Sequence, residues 1–326
     1  MPAPQSRRHF IIHLGSLAAV SVLPVRSLAN AIAPPLYPPL DLSYFDQPIT
    51  PAPSEIRFGY AAITWDGNDV QAIKDISEVG FRGIQLRTSV LKDFGDQPKA
   101  LRDLLQQHQL QFIAFSGGGP KGTDYADAEA IATQVKHLAF LREAGAMYLQ
   151  MTDTARPKDR QPSAEDFKHL GRVLTEIGKR ATDAGIPLAY HNHMNSLSEA
   201  PAEMEALMEA SDARYVKLLF DVAHYQQGGG DPAAAIREYR DRITLLHIKD
   251  VQSPVPVNEE QTKPYRFVEL GRGKVDLPAV FASLKAINYR GWAVVELDSV
   301  PDKTRTPKEC ALISKKYLAE KLAMKI

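Results

Sequence analysis

Seven residues in the second half of the chain have the types and spacing to hold a metal ion and move protons. They stand at the ends of four apolar runs: residues 186–193 (IPLAYHNH), 216–224 (VKLLFDVAH), 243–250 (ITLLHIKD) and 292–298 (WAVVELD). His191 and His193 close the first run, Asp221 and His224 the second, His247 and Lys249 the third, and Glu296 the fourth. Imidazole and carboxylate donors together suit one divalent ion such as Mn, Co, Zn or Fe, and not the all-oxygen cage of calcium. Residues two apart on a strand point the same way, so His191 and His193 can both face inward while Asn192 faces out. Each residue alone has a plainer explanation: a histidine satisfied in the core, or an aspartate capping the next helix. Four strand ends in a row, each carrying a donor, favour a single site.

Such strand ends need a scaffold that brings them together. A strand buried on both faces reads as a continuous apolar run, and runs of this kind recur from Ile56 onward. Strands are expected at residues 57–62, 81–86, 111–115 and 147–151, then at the four runs above. Helical spacing separates them, as in Val70-Ile73-Ile76-Val79 before Gly80 and Phe167-Leu170-Val173-Leu174-Ile177 before Gly185. Eight strands alternating with eight helices predict an α/β fold, a single-domain (β/α)8 TIM barrel over residues 55–326. An open doubly wound sheet would want a glycine-rich turn after the first strand, and Gly59-Tyr60-Ala61-Ala62 is not one. A polar insert, residues 252–271, follows the seventh strand. The tail, residues 315–326, reads as a solvated helix face.

Two further segments precede the barrel. Residues 1–31 carry Ser6-Arg7-Arg8-His9-Phe10-Ile11, a moderately apolar stretch and Ala29-Asn30-Ala31, the pattern of a twin-arginine signal peptide with its cleavage site. Gly15, Pro24 and Arg26 break the apolar run, so no stable membrane insertion is expected. This export route carries folded proteins, so the expected location is the periplasm. Residues 32–54 are proline-rich and read as an extended linker or arm.

Composition excludes other classes. Lys plus Arg and Asp plus Glu number 39 each, with no block of like charge, so no nucleic-acid or anionic-membrane surface is indicated. Removing residues 1–31 takes away Arg7, Arg8 and Arg26 and no acid, leaving 36 basic against 39 acidic side chains. Cys310 is the only cysteine, which rules out an internal disulfide or a thiolate cluster and reads as a small buried hydrophobe. A homo-oligomer is left open.

The run from Arg57 to the last helix resembles the xylose isomerase-like TIM-barrel superfamily of sugar isomerases and epimerases. Within it, the inosose dehydratase-like branch is most similar, through Ala62-Ile63-Thr64-Trp65, Tyr190-His191-Asn192-His193, His247-Ile248-Lys249-Asp250, Gly271-Arg272-Gly273-Lys274-Val275-Asp276 and Gly291-Trp292-Ala293-Val294-Val295-Glu296-Leu297-Asp298. The resemblance implies a metal held by His191, Asp221, His247 and Glu296, with His224 of Asp221-Val222-Ala223-His224 on the substrate. Keto-sugar 3-epimerases use paired glutamates from strands five and eight; His191 stands at the first position here, which argues against a symmetric two-carboxylate epimerisation. Many relatives have Glu at the position of Gln85.

The shared chemistry of the superfamily is removal of a proton beside a carbonyl, with a metal stabilising the enediolate. His193 is then the candidate base, Glu296 an alternative that also coordinates, and Lys249 the partner for a developing oxyanion. Trp65 would offer an apolar face to a sugar ring. Arg87 and Gln150 are further candidates for substrate contact, and Asp153 also falls at the end of strand four. The expected function is a metal-dependent lyase, hydratase or isomerase acting on a keto-sugar, keto-glycoside or cyclitol. The alternatives are a keto-sugar epimerase on the same site and a non-catalytic periplasmic sugar-binding protein. Abasic-site endonucleases share the barrel but need several metals and a DNA-binding face.

Overall fold

The computed structural model describes residues 55–259 and 261–326. The expected signal peptide and proline-rich arm lie outside the described residues. Eight parallel strands close into a barrel in the order β1-β10-β7-β6-β5-β4-β3-β2. They are β1 (Arg57–Ala61), β2 (Gly83–Arg87), β3 (Gln111–Ser116), β4 (Tyr148–Met151), β5 (Leu188–His191), β6 (Val216–Asp221), β7 (Ile243–Ile248) and β10 (Trp292–Val295). The expected insert holds a two-stranded antiparallel hairpin, β8 (Asp250–Gln252) and β9 (Arg266–Val268).

The helices are α1 (Asp69–Val79), α2 (Leu91–Phe94), α3 (Pro98–Gln107), α4 (Asp127–Ala144), α5 (Ala164–Asp183), α6 (Pro201–Ala210), α7 (Val222–Gln227), α8 (Pro232–Glu238), α9 (Leu277–Ala286) and α10 (Pro307–Glu320). The short α2 and α7 are additions to the expected eight. Several begin where the sequence says they must. Asp231 and Asp276 accept backbone N–H bonds ahead of Pro232 and Leu277, and Thr306 with Glu309 forms a capping box around Pro307. No helix among the described residues is long and apolar enough to cross a membrane.

Alternation along the strands makes two apolar layers. Tyr60, Phe115, Tyr190, Phe220 and Leu246 pack outward against the helices. Ala61, Ile113, Ala189, Leu219, Leu245, Trp292 and Val294 fill the barrel. Gly59 and Gly83, paired across β1 and β2, make room inside. A Cβ on Gly59 would lie 2.3 Å from Ile113 Cδ1, and one on Gly83 would lie 2.7 Å from the Trp292 ring. The barrel floor is therefore solid, and the chemistry is left to its other end.

Candidate active site

The site follows from strand parity. The inward residues Leu245, Leu219, Ala189 and Val294 are each followed, two positions on, by His247, Asp221, His191 and Glu296. On β2 and β4 the same alternation delivers Gln85 and Gln150. All six side chains are buried.

Four donor atoms converge. His247 Nδ1 lies 3.2 Å from His191 Nε2, 3.4 Å from Asp221 Oδ2 and 3.4 Å from Glu296 Oε1. His191 Nε2 is 3.4 Å from Asp221 Oδ2. A tetrahedral ion with bonds of about 2.1 Å separates its ligands by about 3.4 Å, so these spacings fit a zinc-sized divalent cation. One atom each from His191, Asp221, His224 and Glu296 also lies within 4.8 Å of the others, a second grouping that brings His224 to the same edge.

The groups behind the donors orient them. His247 Nε2 donates to Gln85 Oε1 at 2.9 Å, which leaves the Nδ1 lone pair facing the cluster. Gln85 Nε2 donates to Glu296 Oε2 at 3.4 Å. Asp221 divides its carboxylate: Oδ1 caps α7 by accepting from Ala223 and His224 N–H, while Oδ2 faces the two imidazoles. The plain reading of Asp221 as a helix cap is realised by one oxygen, and the other is left facing the imidazoles. Gln150 Nε2 sits 3.1 Å from His191 Nδ1, and Gln150 Oε1 is buried with no partner among the described residues. Turning that amide over pairs the orphaned oxygen with an Nδ1–H and frees the His191 Nε2 lone pair for a cation.

Electrostatics set the charge of His191, Asp221 and Glu296. Burial, then the neighbouring His247, lowers the His191 pKa to about 4, so its ring is neutral at pH 7. Burial alone would raise Asp221 and Glu296. For Asp221 the surrounding His224 and Lys249 outweigh burial and hold the carboxyl well below its usual range. For Glu296 the pull of His247 and Lys249 outweighs it and brings the carboxyl down to about 2.

Lys249 is fully buried, and its ammonium donates to Glu296 Oε1 at 3.0 Å, Asp298 Oδ1 at 2.5 Å and His224 Nε2 at 3.2 Å. Burial opposes its charge, but Asp298, Glu296 and Asp221 raise its pKa above the ordinary lysine value. His224 faces a second donor, Met194 N–H, at Nδ1. Burial and then Lys249 hold its pKa well below the usual value. A neutral imidazole has one lone pair, so only one of the two donors is answered at a time.

Strand five is shorter than expected. It stops at His191, so Asn192 does not face out: its amide accepts from Asp221 N–H at 2.8 Å and donates to Asp221 C=O at 3.1 Å, extending the β5–β6 pairing. His193 lies beyond the strand, half-buried, and its ring rests on His224 with centroids 3.8 Å apart. Its Nδ1–H donates to Met194 C=O at 2.6 Å, which leaves the Nε2 lone pair available.

Three further expectations place differently. Trp65 is buried in the layer outside the barrel, edge-on to Tyr60, with its indole N–H on Asp75 at 2.9 Å; its face is spent on packing against α1 and is not offered to a ring at the mouth. Asp153 is consumed by Tyr190 OH and by Ala155 and Leu197 N–H, tying two loops together. Arg87 is exposed at the end of β2, outside the hydrogen-bonded cluster. Phe267, on β9, was not anticipated: its ring lies 4.1 Å from Lys249 Nζ and 4.8 Å from His224. Nothing in the local pattern of the insert marks it. A cavity of about 610 Å³ opens instead near Ile56 and Tyr289, at the N-terminal ends of the strands; it contains none of these donors, so the chemistry belongs to the opposite end.

Known proteins share this architecture. An inosose dehydratase of Lacticaseibacillus casei is 29% identical over 297 residues, covering 81% of this chain and 96% of the relative. A rhizopine catabolism protein of Rhizobium meliloti is 29% identical over 277 residues, covering 76% and 83%. Among solved structures, the IolI protein with a bound zinc atom superposes with a TM-score of 0.67 at 19% identity, covering 81% of this chain and 97% of that one. An L-ribulose 3-epimerase superposes with a TM-score of 0.66 at 19% identity, covering 82% and 95%. At that identity these two structures show the fold alone. The sequence profile of the xylose isomerase-like TIM barrel family matches residues 73–316, from α1 into α10, and the chain belongs to that family.

Proposed function

We propose that the chain is a divalent-metal-dependent enzyme that removes a proton beside the carbonyl of a polyhydroxylated ring and expels an oxygen from the next carbon. The substrate class is a keto-sugar, keto-glycoside or cyclitol ketone. The observation that carries this reading is the convergence of His191, Asp221, His247 and Glu296, with four donor separations of 3.2 to 3.4 Å, next to an imidazole with an available lone pair, His193. Those four residues would hold the ion, which when bound would supply positive charge for the carbonyl oxygen.

The chain's own groups do the rest. His193 Nε2 takes the proton, with its ring orientation fixed by Met194 C=O. The C–H electron pair becomes a C=C bond, the C–O bond at the next carbon breaks, and the departing oxygen leaves as water or an alcohol after accepting the proton that His193 took. The Lys249 N–H that shares His224 with Met194 is placed to turn toward a developing oxyanion. Elimination is favoured over epimerisation because His191 occupies the place of a second catalytic carboxylate, and because relatives at 29% identity include inosose dehydratases.

The test is metal analysis of purified protein alongside Asp221→Ala and Glu296→Gln, with an inosose supplied in deuterated buffer. One ion per chain, lost in both variants, and loss of water from the inosose support the reading. Solvent deuterium incorporated without loss of water makes the protein an epimerase. A well-folded wild type without stoichiometric metal ends the enzymatic reading in favour of a non-catalytic sugar-binding protein.

Residues 1–31 belong to the same proposal. They act as a twin-arginine signal removed after Ala31, delivering folded, loaded protein to the periplasm. Mass spectrometry of the periplasmic protein should find a chain beginning at Ile32; an intact N-terminus there refutes cleavage.

A further inference from the structure

A second space adjoins the site. A cavity of about 330 Å³ lies between the β8–β9 hairpin and the segment after β10. Its walls include Lys263, Tyr265, Arg266, Phe267, Asp298 and Val300. Two of these also touch the buried lysine of the reacting centre: Asp298 Oδ1 is 2.5 Å from Lys249 Nζ, and the Phe267 ring is 4.1 Å from it. The same Nζ is 3.0 Å from Glu296. One ammonium therefore separates the cavity wall from a metal-ligating carboxylate.

The lining has the chemistry of a carbohydrate subsite. Tyr265 and Phe267, with ring centroids 5.6 Å apart, give the wall apolar surface of the kind that C–H faces of sugars cover, although Lys263 Nζ lies over one face of Tyr265 and Lys249 Nζ over one face of Phe267. Asp298 is half-exposed and, among the described residues, gives only one carboxylate oxygen to Lys249. Its other oxygen can accept from a hydroxyl, while Lys263 and Arg266 can donate to others. The volume is at the lower end of small-molecule pockets, about 300–1,000 Å³, enough for one more ring and not for a long chain.

From this shared wall we propose that the hairpin cavity binds the departing part of the substrate, so that the preferred substrate is a keto-glycoside carrying a second sugar ring, not a free cyclitol. This rests on the ring-ketone elimination proposed above. His193 takes the proton beside the carbonyl, the C–H pair forms C=C, the glycosidic C–O bond breaks, and the second sugar leaves as an alcohol once its oxygen receives the proton that His193 took. The products are an unsaturated ketone and a free sugar, so the subsequent reaction on the ketone must be an addition, such as hydration of the new double bond.

Two probes share one reacting ring: a methyl 3-keto-glucoside and a keto-disaccharide in which a glucose replaces the methyl. In metal-loaded protein, kcat/KM should be at least tenfold higher for the disaccharide. Val300→Trp, which fills the cavity, should lower that ratio at least tenfold, mostly through KM. Lys263→Ala with Arg266→Ala, on the exposed side of the hairpin, should lower it three- to tenfold and serves if the tryptophan variant misfolds. Equal kcat/KM for the two probes, unmoved by either variant, overturns the proposal while leaving the elimination intact. Turnover of neither probe sinks the elimination instead, and calorimetry of glucosyl-glucose binding then decides the subsite separately: a tenfold weaker Kd in Val300→Trp upholds it, and no binding to wild type refutes it.

Discussion

In Gln85→Leu, His247 loses the acceptor for its Nε2–H. The imidazole is then free to turn or to change tautomer, and a buried N–H is left unpaired. Metal affinity should fall about 10- to 100-fold, the usual effect of removing a group that orients a ligand. Competition with a chromophoric chelator measures this, with an unchanged circular dichroism spectrum as the control for folding. Unchanged affinity would mean that Gln85 does not set the tautomer. At this scale the four clustered residues, His191, Asp221, His247 and Glu296, were legible because each ends its own apolar run. Gln150 was legible as a residue facing the site, and its orphaned oxygen was not. Trp65 misled because its position after β1 says nothing about which side of the strand a side chain takes once the chain turns into a helical bend.

The helices carry their own signals. α5 begins at a cap in which Asp166 accepts from Ser163 N–H at 2.7 Å and from Arg160. The Arg160 guanidinium, with the Ser163 bonds behind it, holds the Asp166 carboxyl below its usual range. The sign follows from linkage: a depressed folded pKa contributes stability that is fully present above the unfolded value, about 3.9, and is lost as pH falls through the folded one. The difference in thermal midpoint between wild type and Asp166→Asn should therefore be constant from pH 8 to about 5 and shrink below about 4. A difference that persists undiminished well into acid would show that the cap does not depend on the charge.

Element ends were the less legible part. The alternation of residues 186–193 suggests a strand through His193, yet β5 stops at His191. The reason is Asn192, whose side-chain amide replaces the backbone in pairing with Asp221. The insert likewise reads as polar and featureless. Asp250 nonetheless organises it, accepting from Val251, Gly271, Gly273 and Val275 N–H. Those partners stand up to 25 residues away, and no local pattern announces them.

Across the whole barrel, stability depends on filling the interior without crowding it. Gly59→Ala would bring a methyl to 2.3 Å from Ile113 and 2.9 Å from Gly83 C=O. Backbone cannot give way as a side chain can, so the variant should lose about 1–3 kcal/mol, the range for overpacked cores. Chemical denaturation checks this; a loss below about 0.5 kcal/mol would mean that β1 and β2 can separate at no cost.

The sequence by itself determined the barrel, because buried parallel strands must be apolar throughout and helices must show one apolar face, and both periods survive in the residue order. It also determined which strands end in donors, since that needs only residue type and position. Tertiary structure alone decided how those donors divide their bonds. Asp221 splits between a cap and the cluster, Gln85 fixes the His247 tautomer, Trp65 turns to the outer layer, and Phe267 returns from a hairpin to cover Lys249. Each is a contact between residues far apart in the chain, fixed by barrel closure and by the need to pair buried polar groups, and neither leaves a periodic trace in sequence.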